Sequence, residues 1–490
     1  MNKSALSALL GLTVLVAGCS TMKTPSDLLK APSQGSADGT ITSIVQPYLP
    51  AGAHLTVPVQ SESSSAIQLQ DLDKDGQEEI LAFYKTDKTG YEINALVLSK
   101  TGGEWKKLIN ITGVGSELDY VKYADVTGDG AADVLLGFSG GEGLGRELSV
   151  YSLSGGQLSE ILKQPYDHLA VGDMTDEGKT DIALIHSTVD GDNQPESHLQ
   201  LLRLQGGKLQ SLSDQNISGM VIQAMYAKAA PAKSALIIDA AIGAHSSYTS
   251  LLTWANGSFT DILASDDYQH PALADSKNLV LKQLAPEPGG LLGEHSMAIK
   301  DYPLYSEDVN GDGIVEIGFL VPPAGAESFA PLATPFITKY YQWDGRTGLK
   351  LVQERFDRWG FNFHIPASWT GKYLLDLTGN ESPAPWEHIS FSYKDANSGE
   401  KAQLLELRLL AKKDWQAAEA QLIAAKASYK LLYELQNTSD ETAPTVLVAV
   451  LPSANAGSKL TGPAAQEYEQ LKLTLEEVRQ LAGAPQKPRP

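Results

Sequence analysis

Cysteine is almost absent. The 490-residue chain has one, Cys19, which excludes an internal disulfide and any cysteine-based zinc site. Basic residues are scarce as well: 38 Lys and Arg stand against 59 Asp and Glu, a formal net charge of −21. A nucleic-acid binder shows the opposite balance, so that class is set aside. The nine histidines are scattered and form no H-E-x-x-H pattern, which removes the common histidine-based catalytic metal site. Aromatics are modest at 7%. What is present is a normal apolar content of 42% and 44 glycines. That combination fits a folded body built from many turns rather than a disordered chain. The length calls for two or more domains or one large repeat architecture.

The lone cysteine has a setting. MNKSALSALLGLTVLVAGCS carries a lysine near its start, an apolar stretch from Ala5 to Ala17, then small residues. This is the layout of an export signal, and the apolar run is short for a membrane span of about 20 residues. An ordinary signal peptide is the plain alternative. LVAGC, Leu15 to Cys19, resembles the lipobox of bacterial lipoproteins. The resemblance implies cleavage after residue 18 and a diacylglycerol on the Cys19 sulfur, an anchor rather than a span. Residues 19–40 are rich in Ser, Thr, Pro, Ala and Gly and read as a flexible tether.

From about residue 41 to 353 short apolar runs alternate with glycine-rich turns, and one motif returns. DLDKDGQEEI starts at Asp71, DVTGDGAADV at Asp125, DMTDEGKTDI at Asp173 and DVNGDGIVEI at Asp308. Each copy has acids at positions 1, 5 and 9, Gly at 6 and an aliphatic at 10. A hairpin signal trails each copy: TGGEW, SGGQL, QGGKL and WDGRTGL. The first three copies lie 54 and 48 residues apart, whereas the last gap is 135. A unit without its acids fits in that gap, its strands at SALIIDAAIG and SLLTWANGSF and its loop reduced to YAKAAPAKS. A period near 50 with about four strands per unit predicts a mainly β fold, a β-propeller of about five to seven blades. A sixth unit is expected from the run AHLTVPV and chain elsewhere.

Positions 1, 3 and 5 set side-chain oxygens on one side of a tight loop. Position 6 turns sharply with positive φ, position 7 offers a carbonyl, and position 9 returns a carboxylate. Several hard oxygens with net negative charge suit Ca²⁺. An EF-hand needs a bidentate Glu at position 12 and flanking helices. Position 12 is Ala82, Leu136, Leu184 and Phe319, so that reading fails. A metal-free turn is the remaining alternative.

The pattern resembles the FG-GAP/VCBS repeat, the blade of the integrin-α-type β-propeller. The resemblance implies calcium in the loop between the first two strands of a blade, in up to four structural sites. The first set is Asp71, Asp73, Asp75, the Gln77 carbonyl and Glu79; the second is Asp125, Thr127, Asp129, the Ala131 carbonyl and Asp133. The third is Asp173, Thr175, Glu177, the Lys179 carbonyl and Asp181; the fourth is Asp308, Asn310, Asp312, the Ile314 carbonyl and Glu316. The third departs from the pattern, with a longer Glu177 and a nearby Lys179 cation, and is expected to be the weakest.

GFSGG at Gly137–Gly141 matches a nucleophile elbow, but GEGLG follows it where a helix would be required. Beyond residue 353 the pattern turns to α+β, an expected second domain over 354–482. FNFHIPASW resembles the opening of the PsbP-like sandwich. Its last segment, AAQEYEQLKLTLEEVRQLAG, reads as one amphipathic helix, and 483–490 as a disordered tail. Trp369, Trp386 and Trp415 could line a groove or fill a core.

The expected protein is a membrane-anchored extracytoplasmic lipoprotein. Its calcium-stabilised propeller would be a non-catalytic module binding an envelope protein or glycan. The alternative is a propeller-fold polysaccharide lyase or hydrolase. Meeting of His245, His270 or His295 with Arg or Asp in an axial pocket would favour the enzyme.

Overall fold

The computed structural model describes residues 36–86, 91–141, 144–189, 195–264, 291–323, 334–358, 360–379, 387–435 and 444–483. Cys19, His270 and Trp386 therefore lie outside the described residues, as do the tail and much of the long insertion.

The alternating segments form antiparallel sheets, each about one repeat long. In the second sheet Glu117–Ala124, Asp133–Ser139, Arg146–Ser154 and Gln157–Tyr166 pair in chain order. The third sheet orders His168–Gly172, Asp181–Val189, Pro195–Gln205 and Lys208–Ile217 in the same way. The fourth uses Met220–Ala230, Lys233–Gly243, Ser246–Ala255 and Ser258–Asp261. The first begins with Ile67–Gln70 against Glu79–Thr86, followed by Glu92–Thr101 and Glu104–Val114. The fifth runs Ile317–Val321, Ile337–Trp343, Leu349–Arg358 and Phe361–Ile365. Third and fourth strands meet at two-residue turns because glycine pairs such as Gly102 (φ 63°) and Gly103 (φ 88°) accept the left-handed backbone a twisted hairpin needs.

The central strands bury side chains on both faces, so consecutive sheets share cores. Phe83 and Val97 of the first sheet pack with Leu118 and Phe138 of the second. Leu135 and Val150 meet Ile182 and Leu184 of the third. Ile185 and Leu199 meet Leu236 and Tyr248 of the fourth. Ile237 and Leu251 meet Phe319 and Trp343 of the fifth. This is a mainly β, propeller-type stack of blades. Among the described residues the outer face of the first sheet packs on a helix, α1 (Ser36–Val45), through Val45, Ile41 and Ile44.

Several expectations need correction. Residues 36–40 are not tether, because Ile41, Ile44 and Val45 give the helix an apolar side that covers Ile80 and Leu96. AHLTVPV does not start a sixth unit. Ala53–Leu55 pairs with Glu79–Thr86, and Gln60–Ser61 crosses to pair in parallel with Tyr120 and Val121 of the second sheet. A sixth sheet comes instead from the C-terminal region, in the order Tyr373–Gly379, Glu387–Lys394, Lys401–Ala411, Thr445–Val450, Tyr429–Leu435. The expected boundary after residue 353 falls inside the strand Leu349–Arg358. Phe356 and Phe363 share one core with Phe391, Leu405 and Leu447 of the sixth sheet, so fifth and sixth sheets pack as neighbours.

Trp369 is fully buried in that core and donates Nε1–H to the Leu471 carbonyl at 2.8 Å. Trp415, on α2 (Trp415–Ala424), packs against the far face of the sixth sheet. The terminal segment is two helices, α3 (Gly462–Leu471) and α4 (Leu475–Leu481). Thr474 breaks them by adopting extended backbone and forming a capping box with Glu477. No helix among the described residues is long and apolar enough to cross a membrane.

Asp261 ends the last strand of the fourth sheet, fully buried, accepting from Ser250 Oγ (2.6 Å) and from the Leu251 (3.1 Å) and Leu263 (2.9 Å) amides. Burial pushes its carboxyl up to about 6. A carboxyl whose folded-state pKa is raised costs stability as pH climbs from its ordinary value of about 4 to about 6, and the cost is constant above that. Asp261→Asn keeps the shape and removes the charge. We expect D261N to gain about 3 kcal/mol over the parent at pH 8 and nothing at pH 4, measured by urea denaturation at both pH values.

Candidate functional site

The four acidic loops fold alike. In each, the closing acid at position 9 turns back and accepts the backbone N–H of position 2. Glu79 takes Leu72 N at 2.9 Å, Asp133 takes Val126 N at 2.8 Å, Asp181 takes Met174 N at 3.0 Å and Glu316 takes Val309 N at 3.0 Å. The acid at position 1 accepts amides from the turn, such as Gly76 N on Asp71 (3.1 Å) and Gly313 N on Asp308 (2.8 Å). Position 6 is left-handed throughout, with φ of 82°, 84°, 73° and 80° at Gly76, Gly130, Gly178 and Gly313. Position 4 is left-handed too, and there Lys74 and Asp176 hold φ of 60° and 63° without being glycine. That strain is tolerated because the amide-to-carboxylate bonds fix the loop.

All four closing acids are buried, at 2%, 2%, 0% and 0% exposure for Glu79, Asp133, Asp181 and Glu316. Burial raises the carboxyls of Glu79 and Asp133, and pushes Glu316 up to about 7. A buried anion of this kind needs a cation or a proton. In the first loop the Asp71, Asp73 and Glu79 oxygens lie within 4.8 Å of one another, and the buried Asp71 Oδ1 has no hydrogen-bond partner. Asp75 faces the turn instead, accepting from Gln77 N at 2.7 Å and Gln77 Nε2 at 3.0 Å. In the second loop Thr127 Oγ1 reaches Asp133 at 3.4 Å, while Asp129 accepts Ala131 N at 2.8 Å and Asp125 accepts Gly128 N at 2.6 Å.

The third loop carries its own cation. Arg203 donates from Nε to Asp181 Oδ1 (2.5 Å), from Nη2 to Asp181 Oδ2 (2.9 Å), from Nη1 to Glu177 (2.6 Å), and from Nη2 to Thr175 Oγ1. Asp173 meanwhile accepts Gly178 N at 2.7 Å. The guanidinium thus occupies the side of the loop where a metal would sit between Thr175, Glu177 and Asp181. The sequence marks this loop as departing from the pattern at Glu177 and Lys179; the structure adds Arg203, which the pattern does not include.

The register explains which residue does this. Each closing acid faces a fixed position on the next strand, three residues before the hairpin turn. That position is Ser99 in the first sheet and Ser152 in the second, each bonded to its closing acid. It is Arg203 in the third and Gln342 in the fifth, where Gln342 Nε2 donates to Glu316 and Asp312 at 3.0 Å each. Asn310 Nδ2 adds a bond to Asp312 at 3.2 Å. A lone arginine in the strand before QGGKL was the available signal. In the fourth sheet, where the acids are missing, the loop shrinks to a two-residue turn with Ala230 paired to Lys233.

A second constellation lies on the axis, at the opposite ends of the blades. Inner strands of the second, third and fourth sheets, with the crossing strand Gln60–Ser61, enclose a cavity of about 350 Å³. Tyr166 Oη donates to Asp119 at 2.5 Å, Gln60 Nε2 to the same carboxylate at 3.3 Å, and Arg146 Nη1 to the Asp167 carbonyl at 3.0 Å. His168 Nε2 lies 2.9 Å from the Val221 carbonyl, and burial lowers its pKa. Of the histidines whose meeting here would have favoured the enzyme, His245 stacks edge-on against Tyr302 at 5.5 Å, and neither it nor His295 lines this cavity. The histidine that does line it, His168, opens the inner strand His168–Gly172 and carries no motif in the sequence. Ser139 is buried, and its Oγ accepts Gly141 N at 3.1 Å.

No family model matches the chain, the FG-GAP/VCBS family included, and no curated protein matches. Among solved structures, an exotype rhamnogalacturonan lyase is similar at 12% identity and TM-score 0.24, over 69% of this chain and 71% of that one. Sqt1 of Saccharomyces cerevisiae is similar at 12% and 0.27, over 77% and 85%. A periplasmic gluconolactonase of Pseudomonas aeruginosa is similar at 13% and 0.22, over 69% and 95%. At such scores the likenesses carry no inference about activity. The chain's own geometry defines its class: a mainly β protein of stacked blades with acidic loops whose closing carboxylates are buried.

Removing the arginine leaves Asp181 buried without a cation, with the Met174 amide as its partner. Arg203→Gln is expected to lose about 3 kcal/mol of stability in metal-free buffer, read by urea denaturation.

Proposed function

We propose that the chain is an extracytoplasmic binding module whose blades are held at their acidic ends by calcium in the first, second and fourth loops, and by Arg203 in the third. The observation that carries this reading is the convergence of Asp71, Asp73 and Glu79, with the buried Asp71 Oδ1 unpaired. Hard carboxylate and carbonyl oxygens with no nitrogen or sulfur donor favour Ca²⁺. The fourth loop accepts the ion if Gln342 and Asn310 turn their amides away. Weak extracellular sites have Kd of about 0.1–1 mM, so ambient calcium near 1 mM adds about 0.5–1.5 kcal/mol per site. The ion's role is to stabilise the fold.

The lipobox supports an acyl anchor on Cys19 and a place at the outer side of a bacterial membrane. The bound partner is an envelope protein or glycan. The polysaccharide lyase or hydrolase reading has one observation in its favour, the meeting of Arg146, His168 and Tyr166 on the axis. Tyr166 is committed to Asp119, and His168 Nε2 to a backbone carbonyl. Burial beside Asp119 also raises the Tyr166 phenol far above its ordinary value, which unfits it as a base near neutral pH.

Two measurements test the reading. With 1 mM Ca²⁺ the melting temperature should rise by several degrees over EGTA; indifference to EGTA contradicts it. Arg203→Ser, which copies Ser99 and Ser152, should be unstable in EGTA and recover in 10 mM Ca²⁺ with one additional ion bound. A variant whose stability and calcium content ignore the metal would contradict the role given to Arg203. Capture from an envelope extract, with and without chelator, identifies the partner.

A further inference from the structure

The axial cavity holds groups that the fold leaves unfinished. Asp119, 4% exposed, already receives the Tyr166 hydroxyl and the Gln60 amide. Arg146 lies beside it, with Nε 3.4 Å from Asp119 Oδ2, an ion contact without a hydrogen bond. Of the five N–H donors of that guanidinium, one hydrogen bond is made among the described residues, from Nη1 to Asp167. Nε is buried against Asp119, whereas the side chain as a whole is 38% exposed and its further Nη donors make no other hydrogen bond among the described residues. Nε2 of His168 faces a carbonyl and must carry the ring proton. Burial keeps the ring neutral, which leaves Nδ1 an acceptor. The Tyr120 hydroxyl makes no hydrogen bond among the described residues. Leu169, Ile222 and Val59 supply apolar wall.

Donors with spare capacity for a carboxylate, a hydroxyl, an imidazole acceptor and an aliphatic wall converge in about 350 Å³. That is the low end of ligand-pocket volumes of about 300–1,000 Å³. We propose that this axial pocket binds a single sugar-acid unit, its carboxylate on the Arg146 guanidinium and its hydroxyls on Tyr120 Oη and His168 Nδ1. Arginine suits the carboxylate because its planar fork can make two parallel bonds. The aliphatic wall covers the C–H face of the ring. The inference deepens the binding-module reading and rests on it.

Calorimetric titration of the purified protein with glucuronate, galacturonate and glucose decides it. At least one acid should bind at one per chain, and glucose about tenfold or more weaker. Arg146→Gln should weaken the acid about tenfold, and Tyr120→Phe about threefold, both melting like the parent. Should R146Q fail to fold because Asp119 loses its counter-charge, Tyr120→Phe alone decides. The proposal is overturned if neither acid binds, if glucose binds as tightly, or if Y120F leaves the acid's Kd unchanged. The calcium shift in melting reports on the opposite ends of the blades. A null titration with that shift intact therefore removes the pocket and leaves the calcium reading in place; loss of both removes the whole.

Discussion

The structure depends on a carboxylate buried where each acidic loop runs into the strand that follows it. Glu79, Asp133, Asp181 and Glu316 each hold a position 2 amide and so fix the turn that leads into that strand. The bond is local, but its charge is out of water. A bare buried carboxylate is costly, and the blade tolerates it only with a compensating cation or a proton. Arg203 shows one solution within the chain itself. The fourth sheet shows another: it drops the acids and makes a tight hairpin. In the remaining loops no arginine or lysine pairs with the closing carboxylate among the described residues, and the calcium reading rests on that contrast.

The opposite ends of the blades are organised differently. There the connections between sheets converge on the axis, and Gln60–Ser61 crosses from the first blade to pair with the second. The crossing closes one side of the axial cavity and brings Gln60 to Asp119. On the reading proposed, stability and recognition are divided between the two ends. The acidic turns lock the blades, while the axis gathers Arg146, Tyr120 and His168 from separate elements.

Much of this could be read in the sequence because blades repeat. The acid at 1 and 9, the glycine at 6 and the hairpin glycines recur, so the loops, the second to fourth strands and the acid-free unit near residue 240 all fall where the pattern puts them. The features that escaped reading are those the repeat does not carry. Arg203 replaces a serine across a strand pair, and its meaning appears only when the register is known. The helix Ser36–Val45 hides in a stretch whose small polar residues resemble a linker, since three apolar side chains suffice to dock it. The split at Thr474 is a capping box inside an otherwise helical run. The axial cluster is assembled from residues far apart in sequence, so no local spacing announces it.

The most direct test is crystallographic. Crystals grown in calcium and measured at long wavelength should show anomalous peaks inside the Asp71, Asp125 and Asp308 loops and none in the Asp173 loop, where Arg203 density should stand. Empty loops at millimolar calcium, or a peak beside Arg203, would contradict the account.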